Sequence, residues 1–350
     1  MRKLWLALIV LFLGIQAEAQ INRNSIKKNN KRIGSFRGTA NTFGKNKAYS
    51  ALGISVNALN YYGDLAPKPS RVSTDISFTR PGFGVSFMHR FGPRYTVQAQ
   101  MMIGTLKGSD AESADQNDLD NGVYRYKRNL SFRNSIKELS VVAILDLFKN
   151  DGNYIARVKW TPYVFVGIAG FMHQPKAQAP AVDLNGNALP GAGDWVKLRP
   201  LGTEGQYSTL AASDVNSGIK PYSLFQAAIP FGIGARLRLT ETIDVWADIG
   251  FRYTFTDYLD DVSRNYVDLG VLNSDLARAM SYRTGELKLP SSNHAYVSDR
   301  NNQTYTVEPG YGEEHPDNMR GSKADRDIYM VTSIRLSYII GATYHKAKFR

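Results

Sequence analysis

Between Tyr222 and Phe255 the chain alternates apolar and polar positions along two long arms that meet at Thr240 and Glu241. Odd positions carry Phe225, Ala227, Ile229, Phe231, Ile233, Ala235, Leu237 and Leu239, then Ile243, Val245, Ala247, Ile249, Phe251, Tyr253 and Phe255. Even positions carry Gln226, Gly232, Gly234, Arg236, Arg238, Asp244, Asp248, Arg252 and Thr254. A period of two is the pattern of a strand, and a helix would scatter these charges round its circumference. Strands of soluble sheets run to about 5–6 residues, whereas each arm here runs to about 14. A tilted strand that crosses a bilayer needs roughly 9–11 residues, apolar toward lipid and polar toward the lumen. The hairpin therefore predicts one wall of a transmembrane β-barrel.

The same alternation predicts further strands over 48–59, 80–91, 94–106, 135–148, 157–172 and 327–343. In the second, Phe83, Val85, Phe87, His89 and Phe91 oppose Gly84, Ser86, Met88 and Arg90. In the last, Ile334, Leu336, Tyr338 and Ile340 oppose Ser333, Arg335 and Ser337. Gly92-Pro93 and Asn150-Asp151-Gly152 are turn signals. Long and short connections alternate, so every long one falls at the same end, as in an outer-membrane barrel. The fold class expected is all-β: an eight-stranded antiparallel up-and-down transmembrane β-barrel with long extracellular loops, over 48–350. Eight strands enclose a space that side chains can fill. The inward charges Arg90, Glu138, Asp146, Arg236, Arg238, Asp244, Asp248, Arg252 and Arg335 are expected to pair there, because an unpaired buried charge is costly. A closed polar interior, not an open pore, follows. Pro162 and Pro230 lie mid-strand and predict bulges with a local change of parity. Trp246 on the inward face predicts a tapered or plugged lumen, or a slipped register.

Composition changes this picture at the N-terminus. Arg2 and Lys3 precede the apolar run Leu4 to Ile15 and the Ala17-Glu18-Ala19 site, the pattern of a secretory signal peptide over 1–19 cleaved after Ala19. The chain has no cysteine, which excludes disulfides, a lipoprotein anchor and thiol chemistry. Its 5 histidines are scattered without metal-ligand spacing. Most of the net charge of +12 gathers in residues 20–47, where Arg23, Lys27, Lys28, Lys31, Arg32, Arg37, Lys45 and Lys47 occur without an acid. A segment so basic and polar is expected to be a disordered periplasmic tail, available to an acidic partner, anionic lipid heads or the cell wall. Nucleic acid is not an expected partner for an exported chain.

Four words fall in the connections and at the strand ends that join them: Asn60-Tyr61-Tyr62-Gly63-Asp64-Leu65, Arg128-Asn129-Leu130-Ser131-Phe132, Leu201-Gly202-Thr203-Glu204-Gly205-Gln206, and Thr254-Phe255-Thr256-Asp257-Tyr258-Leu259-Asp260-Asp261. In this order they resemble a family of Gram-negative outer-membrane barrels that includes PorG, a component of the type IX secretion machinery. The resemblance implies a non-enzymatic barrel that holds a periplasmic secretion assembly at the outer membrane, and supplies no catalytic residues. The basic tail is longer than the family leads one to expect.

Other chemistries have candidate residues. His173, at the outer end of the fifth strand, could meet Asp257, Asp260 or Asp261 as an acid–base pair; the plain reading is a rim histidine among loop carboxylates. Asp110, Glu112, Asp115, Asp118 and Asp120 could attract a hard cation, but Val123 stands where an EF-hand requires glycine, and a solvated acidic loop is the expectation. Gly202 to Gln206 lacks the Lys-Ser/Thr of a phosphate loop. The expected function is a structural anchor, not an enzyme, with no cofactor and no metal. Its partners are outer-membrane lipid and periplasmic secretion-ring or lipoprotein components. The alternative is a surface module that binds or adheres through its outer loops, and the third reading is a lipid-modifying enzyme.

Overall fold

The computed structural model describes residues 43, 47–66, 76–287, 293–324 and 326–340. The signal peptide expected over 1–19 and Arg23, Lys27, Lys28, Lys31, Arg32 and Arg37 of the expected tail lie outside these. Eight long strands make the wall: β1 (Tyr49–Tyr62), β2 (Arg80–Arg90), β3 (Tyr95–Ser109), β4 (Ser131–Asp146), β5 (Trp160–Met172), β8 (Phe225–Arg238), β9 (Ile243–Thr254) and β12 (Ile328–Ile340). Between them fall the short strands β6 (Pro175–Gln178), β7 (Trp195–Lys197), β10 (His294–Val297) and β11 (Thr304–Val307). Each long strand pairs antiparallel with its neighbour, and β12 returns to β1, so the sheet closes on itself as an eight-stranded antiparallel barrel. Closure leaves none of the eight long strands as an edge.

The alternation in sequence is the alternation in space. Ile54, Ile168 and Ile334 are 65%, 72% and 64% exposed on the outer face, while their strand neighbours Ser55, Ala169 and Arg335 are buried inside. The outward residues form a continuous apolar belt far larger than the few hundred Å² that soluble monomers tolerate.

Three details differ from expectation: the start of the fifth strand, the two prolines and the polarity of the lumen. The strand expected at 157–172 starts at Trp160, so Arg157 belongs to a turn over 147–159. Neither proline makes a bulge. Pro162 sits opposite Ala235 and Pro230 opposite Arg252, and the β5–β8 ladder resumes at Ala169–Ala228 in unchanged register. In an antiparallel strand a missing N–H interrupts one ladder at one place, and neighbouring pairs hold the alignment. Trp246 is buried inside with no slip of register, its indole N–H donating to Ser337 Oγ at 2.8 Å. The lumen is also not polar throughout. Its outer half is an apolar core in which Leu59, Met102, Phe132, Ile136, Phe171 and Val331 pack against Leu65, Leu259 and Val262 from the loops.

The loops fold into a cap over this core. Helices α1 (Asp110–Ser113) and α2 (Gly122–Arg128) lie in the β3–β4 loop, and α3 (Asp275–Ser281) and the β10–β11 hairpin in the β9–β12 loop. A second apolar cluster of Tyr266, Leu269, Tyr282, Tyr305, Val307 and Tyr311 gives the last loop its own interior.

Candidate functional site

Two polar constellations lie inside the apolar wall: ion pairs stacked in the lumen, and a carboxylate–tyrosine network at the mouth. Nearest the end with the short turns, Asp146 accepts from both Arg90 and Arg236 at 2.9 Å. Beside it Arg157 reaches Asp244 at 2.5 Å. The Arg236 guanidinium lies 5.0 Å from the Trp246 ring centroid, a cation–π contact. In the middle, Arg335 donates to Gln98 at 2.7 Å and approaches Asp248 at 3.4 Å, while the Tyr163 hydroxyl donates to Asp248 at 3.0 Å. Above them Glu138 accepts from Tyr329 at 2.7 Å and faces Arg252 at 3.4 Å. The fill leaves a cavity of about 10 Å³ lined by Gln98, Gln100, Asp248 and Arg335, and another of about 10 Å³ beside Arg90, Asp244 and Trp246. Each has the volume of about one water molecule.

Of the nine inward charges named from the sequence, eight are buried in this column. Arg238 stays outside it: half-buried at the rim, it donates to the Ile155 carbonyl at 2.7 Å. Arg157 stands beside Asp244 instead. Sequence reasoning missed Arg157 because a strand reading placed it in the wall, whereas the 147–159 turn folds it inward.

At the mouth the four words meet. The Tyr61 hydroxyl lies 2.7 Å from Asp260 Oδ2 and 2.6 Å from Asp327 Oδ1, all three buried. A phenol has one hydrogen, so it donates to one carboxyl and accepts from the other, which must carry a proton. Burial, reinforced by the neighbouring carboxylates, pushes Asp260 and Asp327 well above the usual carboxylate range. Gly63 passes so close that a Cβ there would meet Tyr61 Oη and Asp327 Oδ1 near 2 Å.

Glu204 holds the last loop. Its Oε1 accepts from the Ser263 and Arg264 amides at 2.9 and 3.2 Å and from Arg320 at 3.0 Å, and its Oε2 from Tyr258 at 3.3 Å. Asp261, in the left-handed region at φ 70°, accepts from Thr203 at 2.7 Å and Tyr222 at 2.6 Å. Burial raises its carboxyl to about 6, with Arg320 opposing the shift. Arg128 ties the second word to the first, donating to Asp110 Oδ2 at 2.8 Å and to the Asp64 carbonyl at 2.7 Å.

Among the described residues His173 makes no pair with a carboxylate. Its Nε2 donates to the Ser223 carbonyl at 3.1 Å, its Nδ1 accepts from Asn134 at 3.3 Å, and its ring stacks on Tyr222, which separates it from Asp261. Burial lowers its pKa to about 4, so the ring is neutral. His89 faces outward and contacts Ser50 Oγ at 2.9 Å. The acidic loop is engaged in local structure: Asp110 takes Arg125 and Arg128, Glu112 takes Lys107, and Asp115 and Asp118 accept from backbone amides of their own turns. Among the described residues no group of carboxylates and histidines is arranged to hold a metal.

A family model described as a domain of unknown function (DUF6089) matches residues 39–179. No curated protein matches the chain. Solved structures similar in fold include a major outer membrane protein from Thermus thermophilus, with 10% identity, a TM-score of 0.35, and 83% of this chain and 99% of that one covered. Another is OprG of Pseudomonas aeruginosa, at 8% identity, a TM-score of 0.32 and coverage of 85% and 99%. A third is the attachment invasion locus protein Ail of Yersinia pestis, at 6% identity, a TM-score of 0.33 and coverage of 84% and 99%.

Proposed function

We propose that the chain is an outer-membrane barrel that acts as a closed structural anchor for a periplasmic secretion assembly. The observation that carries this reading is the filled lumen: among the described residues, buried ion pairs below and an apolar plug above occupy the interior from Trp246 to Leu259. The outward apolar belt supports residence in a bilayer. The assembly is named from the resemblance of the four words to barrels of the type IX machinery, and the basic tail, with Arg23, Lys27, Lys28, Lys31, Arg32 and Arg37, is the surface assigned to the partner.

A pull-down from outer membranes in mild detergent tests it, comparing the full chain with one lacking 22–47. Co-purification of a periplasmic ring or lipoprotein component that is lost with the tail is the expected result. A partner that survives the deletion moves the contact to the periplasmic turns. Recovery of the barrel alone in both forms overturns the anchor reading. The folded cap favours a second reading, a surface-binding module. Loss of adhesion with secretion intact after gene deletion would select it.

A further inference from the structure

We propose that the outer face where β4, β6 and β7 lie side by side binds the phosphates of a phosphorylated glycolipid in the outer leaflet. This rests on the reading of the chain as an outer-membrane barrel. Arg133 on β4 sits opposite Lys176 on β6, and Lys176 sits opposite Lys197 on β7, so three cations stand in one row across three strands. Directly opposed like charges destabilise a sheet. Among the described residues no carboxylate pairs with Arg133, Lys137, Lys176 or Lys197. The contrast lies one strand away. Lys107 on β3 also faces Arg133, but Glu112 neutralises it at 2.6 Å. The row is thus left positive on one side only.

Its height on the wall selects the occupant. Lys137 shares the outward face of β4 with Arg133 and pairs with Ile103 on β3 and Met172 on β5, both exposed members of the apolar belt. The next outward residue of β4 toward the membrane is Leu139, 61% exposed. Arg133 lies four residues further out than Lys137, roughly 13 Å along the strand. The four cations therefore rise from the edge of the belt through the depth of a headgroup layer. Trp195, 44% exposed, lies with its ring centroid 5.8 Å from the Arg133 guanidinium, an amphipathic side chain of the kind that settles at a membrane–water boundary. A soluble anion would use the cations and leave Leu139 and Ile103 idle. A lipid with phosphates on its headgroup uses both, its acyl chains on the belt and its phosphates on Arg and Lys donors.

The test places the full chain in phosphatidylcholine vesicles containing a trace of fluorescent bisphosphorylated lipid A and measures the lipid A that stays with the protein on extraction. R133E/K137E/K176E/K197E should retain at least about tenfold less than the unmodified protein, because cations at the headgroup layer attract anionic lipid. The unmodified protein should show the same loss with dephosphorylated lipid A. Equal retention by protein and variant overturns the proposal, as does equal retention of phosphatidylglycerol, which would indicate charge without headgroup selection. R94E/K159E, at the opposite rim, should leave retention unchanged; an equal drop would attribute the effect to net charge and sink the site. Should the quadruple reversal fail to fold, R133Q/K197Q at two exposed positions carries the same comparison. Flotation with phosphatidylcholine alone separates the two readings. Failure of the unmodified protein to insert removes the membrane reading, whereas insertion without phosphate selectivity removes only the site.

Discussion

Asp146 shows how a single side chain closes the lower lumen. It lies between two buried arginines, and without it both keep their charge in a place with little water. Removing one partner of a buried pair costs about 3–5 kcal/mol, because the remaining charge stays desolvated. Asp146→Ala is expected to lower barrel stability by that amount in urea titrations followed by heat-modifiable gel mobility. Adding Arg236→Met should recover part of the loss. The mouth carboxyls respond to pH. Burial, with help from Asp64, Asp260 and Glu204, raises Asp257 to about 9. Such a group binds its proton more tightly in the folded protein, so its stabilisation is full below about pH 4 and is lost as pH rises through the folded value. His173 has the opposite sign, its contribution fading as pH falls from about 6.5 toward about 4. Between pH 6.5 and 9 the contribution of His173 is complete while that of Asp257 is being lost. Protease cleavage within the 255–327 loop, corrected for protease activity, should quicken several-fold across that interval, and Asp257→Asn should flatten the rise.

At the scale of elements, the mouth is one structure assembled from four loops. The 201–206 segment supplies Thr203 and Glu204, which hold Asp261, Arg320 and two amides of the last loop. Deleting 201–206 should expose both the 173–224 and 255–327 loops to protease while the wall keeps its heat-modifiable mobility. Unchanged protection would mean that the apolar clusters alone hold the cap. The wall was legible in the sequence because its two faces meet different surroundings, and a period of two follows directly from that. The plug was not. Phe132, Ile136, Val142 and Ile144 point inward on β4 while Leu139 and Val141 point outward, so both faces of that strand are apolar. A reading of polar lumen against apolar lipid assigns such a strand only in part. Loop geometry was hidden for another reason: Tyr61, Arg128, Tyr222 and Arg320 act across long sequence separations, and no local spacing announces their partners. The words that carried the family resemblance marked the place without showing the bonds.

For the molecule as a whole, the belt and the filled lumen make opposite predictions for two tryptophans. Trp160 is 50% exposed on the outer face, whereas Trp246 is 3% exposed inside. In vesicles of brominated phospholipid, a chain that keeps Trp160 alone should lose most of its fluorescence. One that keeps Trp246 alone should keep it. Quenching of both would require lipid access to the interior and would contradict the sealed barrel.

The bond between Tyr61 and Asp327 spans a sequence separation of 266 residues, and the strands on either side of it, β1 and β12, are the pair that closes the wall. Contacts this remote are the slowest kind to form, since the entropy of closing the loop is lost before any of them is made. The cap cannot be finished ahead of the barrel, because one of its central carboxyls arrives with the last strand. The same strand therefore completes both the wall and the cap. Until β12 docks, Asp327 is missing from the Tyr61 network and β1 and β9 present raw edges, the features that leave a partly assembled sheet open to mispairing.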